Sequence, residues 1–574
     1  MTEAAALGVT RHFVTLGGRQ IHYRRAGKGA PLIALHRLPR SGRDLLPFVQ
    51  RATSGFTVLA PDLAGYGNSW SLATAPPTIS DYAADIVAIL DALSVKRALF
   101  YGEREGGAVA LELARSAPDR VAALAISELE IWTPEEIAPA LAATRPFAPA
   151  WDGSHLSWLW AYLREENAFQ PWWRKRLATR VADDMPAPAE LQARAVQFLT
   201  AGVHGRDYEL GLQAALSFDA RAAVAGLPIP CLILGARARH QDQALSRLSG
   251  LSSATAVQTE ELPADCARVA FQFLARHGGG LSAPPAPPAV KPVPGRLWSD
   301  FAAVPGGQLH VRRNGDAETV PLLIQHDAAS SVGTVEPITC SFIGRRTVVA
   351  FDLPGSGESD NTLGDDPVEV PAYAESLSAA LDDLGLGRID FYGMWGGGFV
   401  GLELAIGQPA KVRRLIMSNV FQHDGDMQQR LLAHYTPEIV PLWHGGHLMQ
   451  CWHQLRDQGI YFPWFDATRH AVVQREPFLD TDMVHERVCS LLKAGNMYRT
   501  AYQSHFRYRT FDRLHHSPVP TVLGIRSGDP NNPRIEAAAR TESHVVLRNL
   551  APDFKRWGEC FTDVLEAADR EPRV

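Results

Sequence analysis

The chain has 574 residues, of which 46% are hydrophobic and 21% charged, and 62 acidic against 56 basic residues give a formal net charge of -6. This length allows two or more domains with sizeable cores, and the composition is ordinary for a globular protein. The lack of a basic excess argues against a surface for nucleic acid or for an anionic membrane.

The chain begins Met-Thr-Glu-Ala-Ala-Ala-Leu, which lacks the basic start and apolar core of a signal peptide. No apolar run approaches the roughly 20 residues that a membrane-spanning helix needs. Six cysteines are scattered singly, without a C-x-x-C pair, which favours reduced thiols over disulfides or a zinc site. The sequence therefore predicts a cytoplasmic protein that does not enter a membrane.

Short apolar runs alternate with helical periods along the first half of the chain. The runs expected to form strands are residues 31–35, 56–60, 98–101, 121–126 and 230–234. This alternation predicts an α/β domain with a mostly parallel, doubly wound sheet. A long, Trp-rich, helix-leaning stretch at about 136–215 interrupts it and is expected to form an inserted cap.

The predicted strand at 98–101 leads into Gly-Glu-Arg-Glu-Gly at 102–106 and then into an apolar helical stretch. A strand, a G-x-x-x-G turn and a helix form the frame of a nucleophile elbow, whose central residue is normally a serine. Here the central residue is Arg104, and a guanidinium cannot attack an acyl carbon.

The second half of the chain repeats the first. Matched positions, such as Asp62 with Asp352 and Arg104 with Trp395, stay 288 to 292 residues apart throughout. So constant a separation indicates a duplicated domain. The Pro-rich segment 277–296 favours extended backbone and is expected to be a semi-rigid linker. We therefore predict domains at 1–276 and 297–574, the second with a cap at about 427–510.

These motifs resemble the α/β-hydrolase fold superfamily. Each copy has, in order, a strand ending in His36-Arg37 or His326-Asp327, a D-L-x-G-x-G-x-S segment, the elbow, and an insert before a later strand. The resemblance covers nearly the whole chain. It implies two tandem α/β-hydrolase-like domains, each with a mostly parallel sheet and a helical cap.

In working members of that superfamily a Ser, Asp or Cys attacks from the elbow tip, a later His acts as base, and an acid orients the His. The first copy has neither the acid after residues 232–235 nor the His near 260–266. The second copy keeps Asp529 at the acid position but has Asp553 near the position of the base. Arg37 and Asp327 replace the glycine usual at the strand end, which changes the expected oxyanion hole. Since neither elbow tip is a Ser and neither copy has a His at the position of the base, the Ser-His-Asp triad is missing and serine hydrolysis is not expected.

Residues with titratable, bulky or aromatic side chains at the expected site are the candidates for other chemistry. The candidate catalytic residues are Arg104, His326, Asp327, Trp395, His447, Asp529 and Asp553. The candidate substrate-binding residues are His36, Arg37, Glu128, His155, Trp160, His423 and Trp452.

Each candidate also has a structural alternative. Arg104 would either clamp an organic anion or pair internally with Glu105, Glu128 or Glu130, and Trp395 would either contact a ligand or fill the pocket. The cap histidines and tryptophans could serve as helix caps and cap core. No metal-ligand spacing, phosphate loop or dinucleotide motif is present, so no metal or cofactor is expected.

The sequence predicts a cofactor-independent lyase, isomerase or cyclase that acts by acid–base chemistry on a small, partly apolar organic molecule in a capped pocket. The second copy, with more titratable groups, is expected to be the active one. One alternative is an inactive pseudo-hydrolase that binds a ligand or acts as a scaffold, and another is a hydrolase with an unconventional base. The expected partners are a small molecule and, within the chain, the other domain as a pseudo-dimer, with further oligomerisation left open.

Overall fold

A computed structural model of the chain describes residues 8–202, 205–248, 250–315, 319–364, 367–474, 476–477 and 479–569. They form two compact units. The first domain is built from Ala6–Lys291 with the short segment Pro441–Gly446, and the second from Pro292–Val440 and His447–Val574. The division after Lys291 lies within the segment 277–296 that was predicted as a linker.

The first domain is built on one eight-stranded sheet. Its strands are β1 (Thr10–Leu16), β2 (Arg19–Gly27), β3 (Ala30–Leu35), β4 (Phe56–Pro61), β5 (Ala98–Glu103), β6 (Val121–Ser127), β7 (Cys231–Ala236) and β8 (Thr255–Glu260). They lie in the order β1-β2-β4-β3-β5-β6-β7-β8, and only the β1–β2 and β2–β4 pairs are antiparallel. The apolar runs that were predicted as strands form strands. Helices cover both faces of a mostly parallel sheet, and its strands are therefore apolar on both sides.

The helices of the first domain follow the strands in the expected alternation. They are α1 (Leu46–Ala52), α2 (Ile79–Ala92), α3 (Glu105–Ser116), α4 (Pro134–Ala143), α5 (Ser154–Ala168), α6 (Pro188–Leu199), α7 (Tyr208–Leu216), α8 (Ala220–Val224), α9 (Gln241–Leu245) and α10 (Pro263–Ala275). Four of them, α4 to α7, lie between β6 and β7 in the stretch predicted as a cap.

The second domain repeats this sheet. Its strands are β9 (Trp298–Val304), β10 (Gly307–Arg313), β11 (Leu322–Gln325), β12 (Val348–Phe351), β13 (Ile389–Met394), β14 (Val412–Ser418), β15 (Thr521–Ile525) and β16 (Val545–Asn549). Their order, β9-β10-β12-β11-β13-β14-β15-β16, is that of the first sheet strand for strand. The predicted fold class, two tandem α/β domains with mostly parallel sheets, is confirmed.

The helices of the second domain are α11 (Val332–Cys340), α12 (Val370–Asp383), α13 (Gly396–Gly407), α14 (Gly425–His434), α15 (Gly446–Asp457), α16 (Thr481–Ala494), α17 (Met497–Arg507), α18 (Thr510–Leu514), α19 (Asn532–Thr541) and α20 (Thr562–Asp569). Among the helices within the described ranges, none combines the length and the apolar character that crossing a membrane requires.

The repeated D-L-x-G-x-G-x-S segment has a structural role in both domains. The buried Asp62 carboxylate accepts hydrogen bonds from the backbone of Gly42 at 2.8 Å and from His22 and Arg24, also at 2.8 Å. In the second domain Asp352 pairs with His310 at 2.8 Å in the same way. Buried carboxylates are stable only when such donors surround them, so this motif anchors the loops after β3 and β11.

Candidate active site

Both elbows keep the strained backbone of a nucleophile turn, although neither has a nucleophile. Arg104 has φ 47° and ψ -110°, and Trp395 has φ 48° and ψ -125°. Side chains other than glycine adopt this region at a cost of about 1–3 kcal/mol. At Gly106 a Cβ would meet the carbonyl oxygens of Leu35 and His36, so glycine is required where the elbow helix passes the end of β3.

An open cleft of about 850 Å³, its mouth included, lies beside Arg104 in the first domain. It lies between the elbow, the loop after β6 and the predicted cap. Its charged lining residues are Arg104, Glu105, Glu130 and Glu166, and its aromatic lining residues are Trp132, Tyr162, Trp172, Trp173, Tyr208 and Phe218. A largely apolar cleft with a few convergent polar groups is the usual form of a small-molecule site.

Arg104 extends from the elbow tip to a carboxylate that follows β6. Its Nη2 lies 2.7 Å from Oε1 of Glu130, and its Nε lies 4.0 Å from Oε1 of Glu105. Its Nη1 is buried and has no hydrogen-bond partner among the described residues. The internal ion pair considered for Arg104 is thus present, and it leaves one donor nitrogen of the guanidinium unused.

The three carboxyl groups of the cleft differ in their surroundings. Glu166 faces Arg40 at 3.3 Å and Arg37 at 3.4 Å, and although burial opposes ionisation, these cations hold the pKa of Glu166 at about 2. For Glu130, burial outweighs Arg104, with help from the negative charges of Glu105 and Glu128, and its pKa is raised above the ordinary 4.5. The pKa values of Glu130 and Glu166 are thus shifted in opposite directions, upwards for Glu130 and downwards for Glu166.

In the first domain a side-chain carboxylate occupies a backbone donor at the position where this fold has its oxyanion hole. That hole consists of a backbone N–H after the nucleophile and one from the loop after the third strand. The loop donor is the N–H of Leu38, and it donates to Oε2 of Glu105 at 3.0 Å. An oxyanion therefore cannot use this donor unless Glu105 moves.

In the second domain a carboxylate also blocks the oxyanion position, but the backbone donor that it occupies is the one on the elbow. There the elbow donor is the N–H of Gly396, and it donates to Oδ1 of Asp327, in the loop after β11, at 3.0 Å. The same carboxylate oxygen lies 3.3 Å from Nδ1 of His505, a buried residue of α17. A Cβ on Gly396 would collide with this imidazole, so His505 packs directly against the elbow.

Trp395 packs into the core of the second domain. Its ring centroid lies 5.6 Å from that of Trp557 and 6.3 Å from that of Phe554. Phe554 and Trp557 belong to one buried hydrophobic cluster that also contains Ile416 and Val522, and the partly buried Trp395 packs against it. The Trp395 side chain therefore adds contact area to this core.

The two strand-end histidines have matching structural contacts. Nδ1 of His36 lies 2.9 Å from the carbonyl oxygen of Arg37, and its Nε2 accepts from the N–H of Leu63 at 2.8 Å. His326 repeats the pattern with the carbonyl oxygen of Asp327 and the N–H of Leu353, at 2.6 and 3.1 Å. Both rings are fully buried and burial lowers both pKa values, so these histidines tie loops together as neutral imidazoles.

The other candidates in the first domain lie outside the residues that line the cleft. Nη2 of Arg37 lies 3.4 Å from Oε1 of Glu166. Glu128 is buried and accepts from Gln241 at 3.4 Å. In the cap, His155 accepts from the backbone of Ala150 at 3.0 Å, and Trp160 donates to the carbonyl oxygen of Trp443 at 2.9 Å. Of the predicted residues of this domain, only Arg104 lines the cleft.

The remaining candidates in the second domain are dispersed. Asp529 accepts from the backbone of Asn531 at 2.9 Å, and the exposed Asp553 caps a 3₁₀ helix by accepting from Lys555 at 2.9 Å. His423 stacks on Phe421 and Phe462, and burial lowers its pKa to about 4. His447 and Trp452 are buried in α15. Each of the two aspartates thus serves a local turn or helix end.

Several residues that line the cleft were not among the predicted site residues. Glu130 and Trp132 follow β6, and Glu166, Trp172 and Trp173 belong to α5 and the loop after it. The sequence indicated Glu130 only as a possible ion-pair partner of Arg104, and the cap residues only through the density of tryptophans. Within the described residues, no group of three or more metal-binding side chains converges.

A family model matches both halves of the chain, and several known proteins match parts of it. The family model for the alpha/beta hydrolase fold matches residues 31–186 and 332–438. A putative non-heme haloperoxidase of Mycobacterium phage D29 is 38% identical over 111 residues, which are 19% of this chain and 40% of that protein. Bifunctional epoxide hydrolase 2 of Mus musculus is 35% identical over 126 residues, which are 20% of this chain and 22% of that protein.

The chain thus spans less than half the length of these relatives. Among solved structures, the enol-lactonase from Burkholderia xenovorans LB400 is 22% identical, with a TM-score of 0.36, over 46% of this chain and 99% of that chain. The two matched segments, one in each half of the chain, and the two sheets of identical strand order lead to one conclusion. The chain has the α/β-hydrolase fold twice, in tandem.

Proposed function

We propose that the first domain is a cofactor-independent enzyme of the lyase, isomerase or cyclase type that acts on a small, partly apolar organic molecule. The observation that carries this proposal is the open aromatic cleft beside Arg104, in which Glu130 lies 2.7 Å from the guanidinium. A carboxyl group and a cation at one apolar site can move a proton and stabilise the charge that develops.

Glu130 is the proposed acid–base residue. Glu105 is engaged with the N–H of Leu38, and Glu166 stays ionised between Arg37 and Arg40, with a pKa of about 2. Glu130 has a raised pKa, and a carboxylate with a raised pKa is a stronger base than an ordinary one. Its second neighbour, Gln170, donates to Oε1 at 2.9 Å and holds the carboxyl group in place.

The proposed step is proton transfer next to a carbonyl or carboxylate group. The Glu130 carboxylate removes a proton from carbon, and the electron pair of that C–H bond forms an enolate whose oxygen accepts from Nη1 of Arg104. The protonated Glu130 then returns its proton, to another carbon in an isomerase or to a leaving group in a lyase. Arg104 transfers no proton in this step, because the guanidinium stays charged throughout.

The activities named for the relatives do not enter this proposal. Those matches cover 22% and 40% of the relatives' lengths, and the elbow tips Arg104 and Trp395 cannot attack a carbon atom. For the second domain we propose a structural role, because Trp395 packs against Phe554 and Trp557 and because His505 rests on the elbow. This differs from the expectation that the second copy would be the active one. The cytoplasmic location stays a prediction.

A pool of metabolites tests the proposal while the substrate is still unidentified. Purified protein is incubated with a small-molecule extract, and mass spectrometry follows which compounds disappear and which appear. We expect the wild type to consume at least one compound that Glu130→Gln leaves untouched. Glu135→Gln is the matched control, because Glu135 is an exposed glutamate of α4 away from the cleft.

The mass of the product identifies the reaction type. A product of unchanged mass indicates an isomerase or cyclase. Two products whose masses add up to that of the substrate indicate a lyase, and products that add up to the substrate plus one water indicate the hydrolase alternative. Consumption by Glu130→Gln at the wild-type rate, or no consumption by the wild type, contradicts the proposal.

A further inference from the structure

Two buried hydrogen-bond donors of the cleft-lining residues have no partner among the described residues. They are Nη1 of Arg104 and the indole Nε1 of Trp173. Buried donors in folded proteins are nearly always satisfied, and an exception calls for an explanation. A ligand with acceptor oxygens would satisfy donors of this kind, whereas a hydrocarbon would not.

The cleft also has an aromatic wall. The rings of Trp132 and Trp173 lie 5.8 Å apart and are inclined by only 23°, while Trp172 packs edge-on against both Trp173 and Tyr162. The three tryptophans are only partly buried. Flat, partly exposed indole rings offer faces and edges on which another aromatic ring can pack.

The charges around the cleft favour an anion at Arg104. The negative charge of Glu166 is matched by Arg37 and Arg40, and Glu105 is held by the backbone of Leu38. Glu130 shares its charge with Arg104, and burial favours its neutral form. Glu130 contacts Nη2 of Arg104 and Glu105 lies 4.0 Å from its Nε, so Nη1 is the guanidinium nitrogen that is left for an anion.

We propose that the ligand of the first domain is a carboxylate that carries an aromatic ring and a C–H bond next to the carboxylate group. Its carboxylate accepts a hydrogen bond from Nη1 of Arg104, and its ring packs against the tryptophan wall. This inference rests on the proposed function and names its substrate class. The fit comes from one cation, one aromatic wall and the absence, among the described cleft-lining residues, of a second cationic side chain that would require a second anionic group.

Binding of two matched probes to the full-length protein tests the ligand class. The probes are 2-naphthoate and 2-naphthalenemethanol, which share the ring and differ in charge, and isothermal titration calorimetry measures both affinities. A hydrogen bond to a charged group is worth roughly 10–100-fold in affinity. We therefore expect 2-naphthoate to bind at least 10-fold more tightly than the alcohol.

Two variants test the contacts. Arg104→Met/Glu130→Gln removes the guanidinium and its partner charge together, and we expect it to bind 2-naphthoate about 10–100-fold more weakly. Trp173→Ala removes part of the wall, with an expected loss of about 10-fold. The matched controls are Arg115→Met/Glu135→Gln and Trp151→Ala, at exposed positions, and they should bind as the wild type does.

Equal affinity for the alcohol and the carboxylate, or no binding of either probe, overturns the inference, and so does unchanged binding by Arg104→Met/Glu130→Gln. The comparison of the two probes on the wild type stands even where a variant fails to fold. Failure here with turnover in the metabolite experiment leaves the enzyme proposal intact. Tight binding of 2-naphthoate without turnover of any compound leaves the ligand class intact and removes the enzyme.

Discussion

Nη2 of Arg104 lies 2.7 Å from Oε1 of Glu130, so the residue at the elbow tip is joined to the loop after β6 where a nucleophile would otherwise face the substrate. Both side chains are largely buried, with 12% and 15% of their surface exposed. Removal of one partner from such a pair leaves a buried charge, whereas removal of both does not.

We expect Arg104→Met to lower the free energy of unfolding of the first domain by about 3–5 kcal/mol, because Glu105 and Glu130 lose their cation. Arg104→Met/Glu130→Gln should regain most of this loss. Urea denaturation measures both. Arg51→Met, at an exposed position in the last turn of α1, should change stability by less than about 1 kcal/mol. A single variant as stable as the wild type would show that the ion pair contributes nothing.

Glu103, one residue before the elbow tip, makes stability depend on pH. Burial and the nearby negative charge of Asp44 raise its pKa from 4.5 to about 7, against the opposing effect of the hydrogen bond from Tyr101. Between these values the folded state keeps a proton that the unfolded state has lost, so stability falls as pH rises through this window.

Glu103→Gln removes that titration. The free energy of unfolding of the variant, minus that of the wild type, should therefore increase as pH rises from about 4.5 to about 7, by at most about 1.4 kcal/mol per pH unit. Above this window the difference should be constant. Urea denaturation across this range measures it. The exposed Glu135→Gln should run parallel to the wild type between pH 6 and 8. A constant difference for Glu103→Gln throughout the range would mean that Glu103 ionises normally.

Glycine and alanine at position 395 should differ in their effect on stability, because the backbone there is strained. Both Trp395→Ala and Trp395→Gly lose the contacts with Phe554 and Trp557, but only glycine adopts φ 48° and ψ -125° without strain. We expect Trp395→Gly to be more stable than Trp395→Ala by about 1–3 kcal/mol in thermal or chemical denaturation. At Ala537, exposed within α19, Ala→Gly should instead destabilise by about 1 kcal/mol. The reverse order at position 395 would show that the turn is not strained.

Gly396 and His505 form a steric pair. A Cβ at 396 would collide with the imidazole ring, so Gly396→Ala should destabilise the second domain by about 1–3 kcal/mol. His505→Ala removes the ring that the new Cβ would meet. The double variant Gly396→Ala/His505→Ala should therefore lose less stability than the sum of the losses of the two single variants. Chemical denaturation of all four proteins gives the coupling. Additive losses would mean that His505 moves away at no cost.

The fold could be predicted from the sequence because its signals are local and occur twice. The Asp62 and Asp352 segments, the elbow glycines and the short apolar runs each fix a turn or a strand, and their order repeats. Arg104 was identifiable for the same reason, because the motif places it at the tip. The pairing with Glu130 was one of three alternatives, and only the path of the chain after β6 decides between them.

The rest of the site depends on distant contacts. Trp173 and Glu166 reach the cleft from the cap, and sequence alone does not show which face of a cap helix or loop turns inwards. Two second-domain candidates were predicted as site residues although they have local structural contacts. Asp529 and Asp553 lie close to the positions of an acid and a base in the sequence, but each satisfies its own turn or helix end, because a nearby backbone N–H offers a hydrogen bond without long-range assembly.

The two oxyanion positions are blocked independently of each other. In the first domain the carboxylate is Glu105, on the elbow, and in the second it is Asp327, on the strand-end loop, so the two blocks use different residues at different positions. Replacement of one of these carboxylates would therefore free a backbone donor in one domain only, and each position can be reopened without the other.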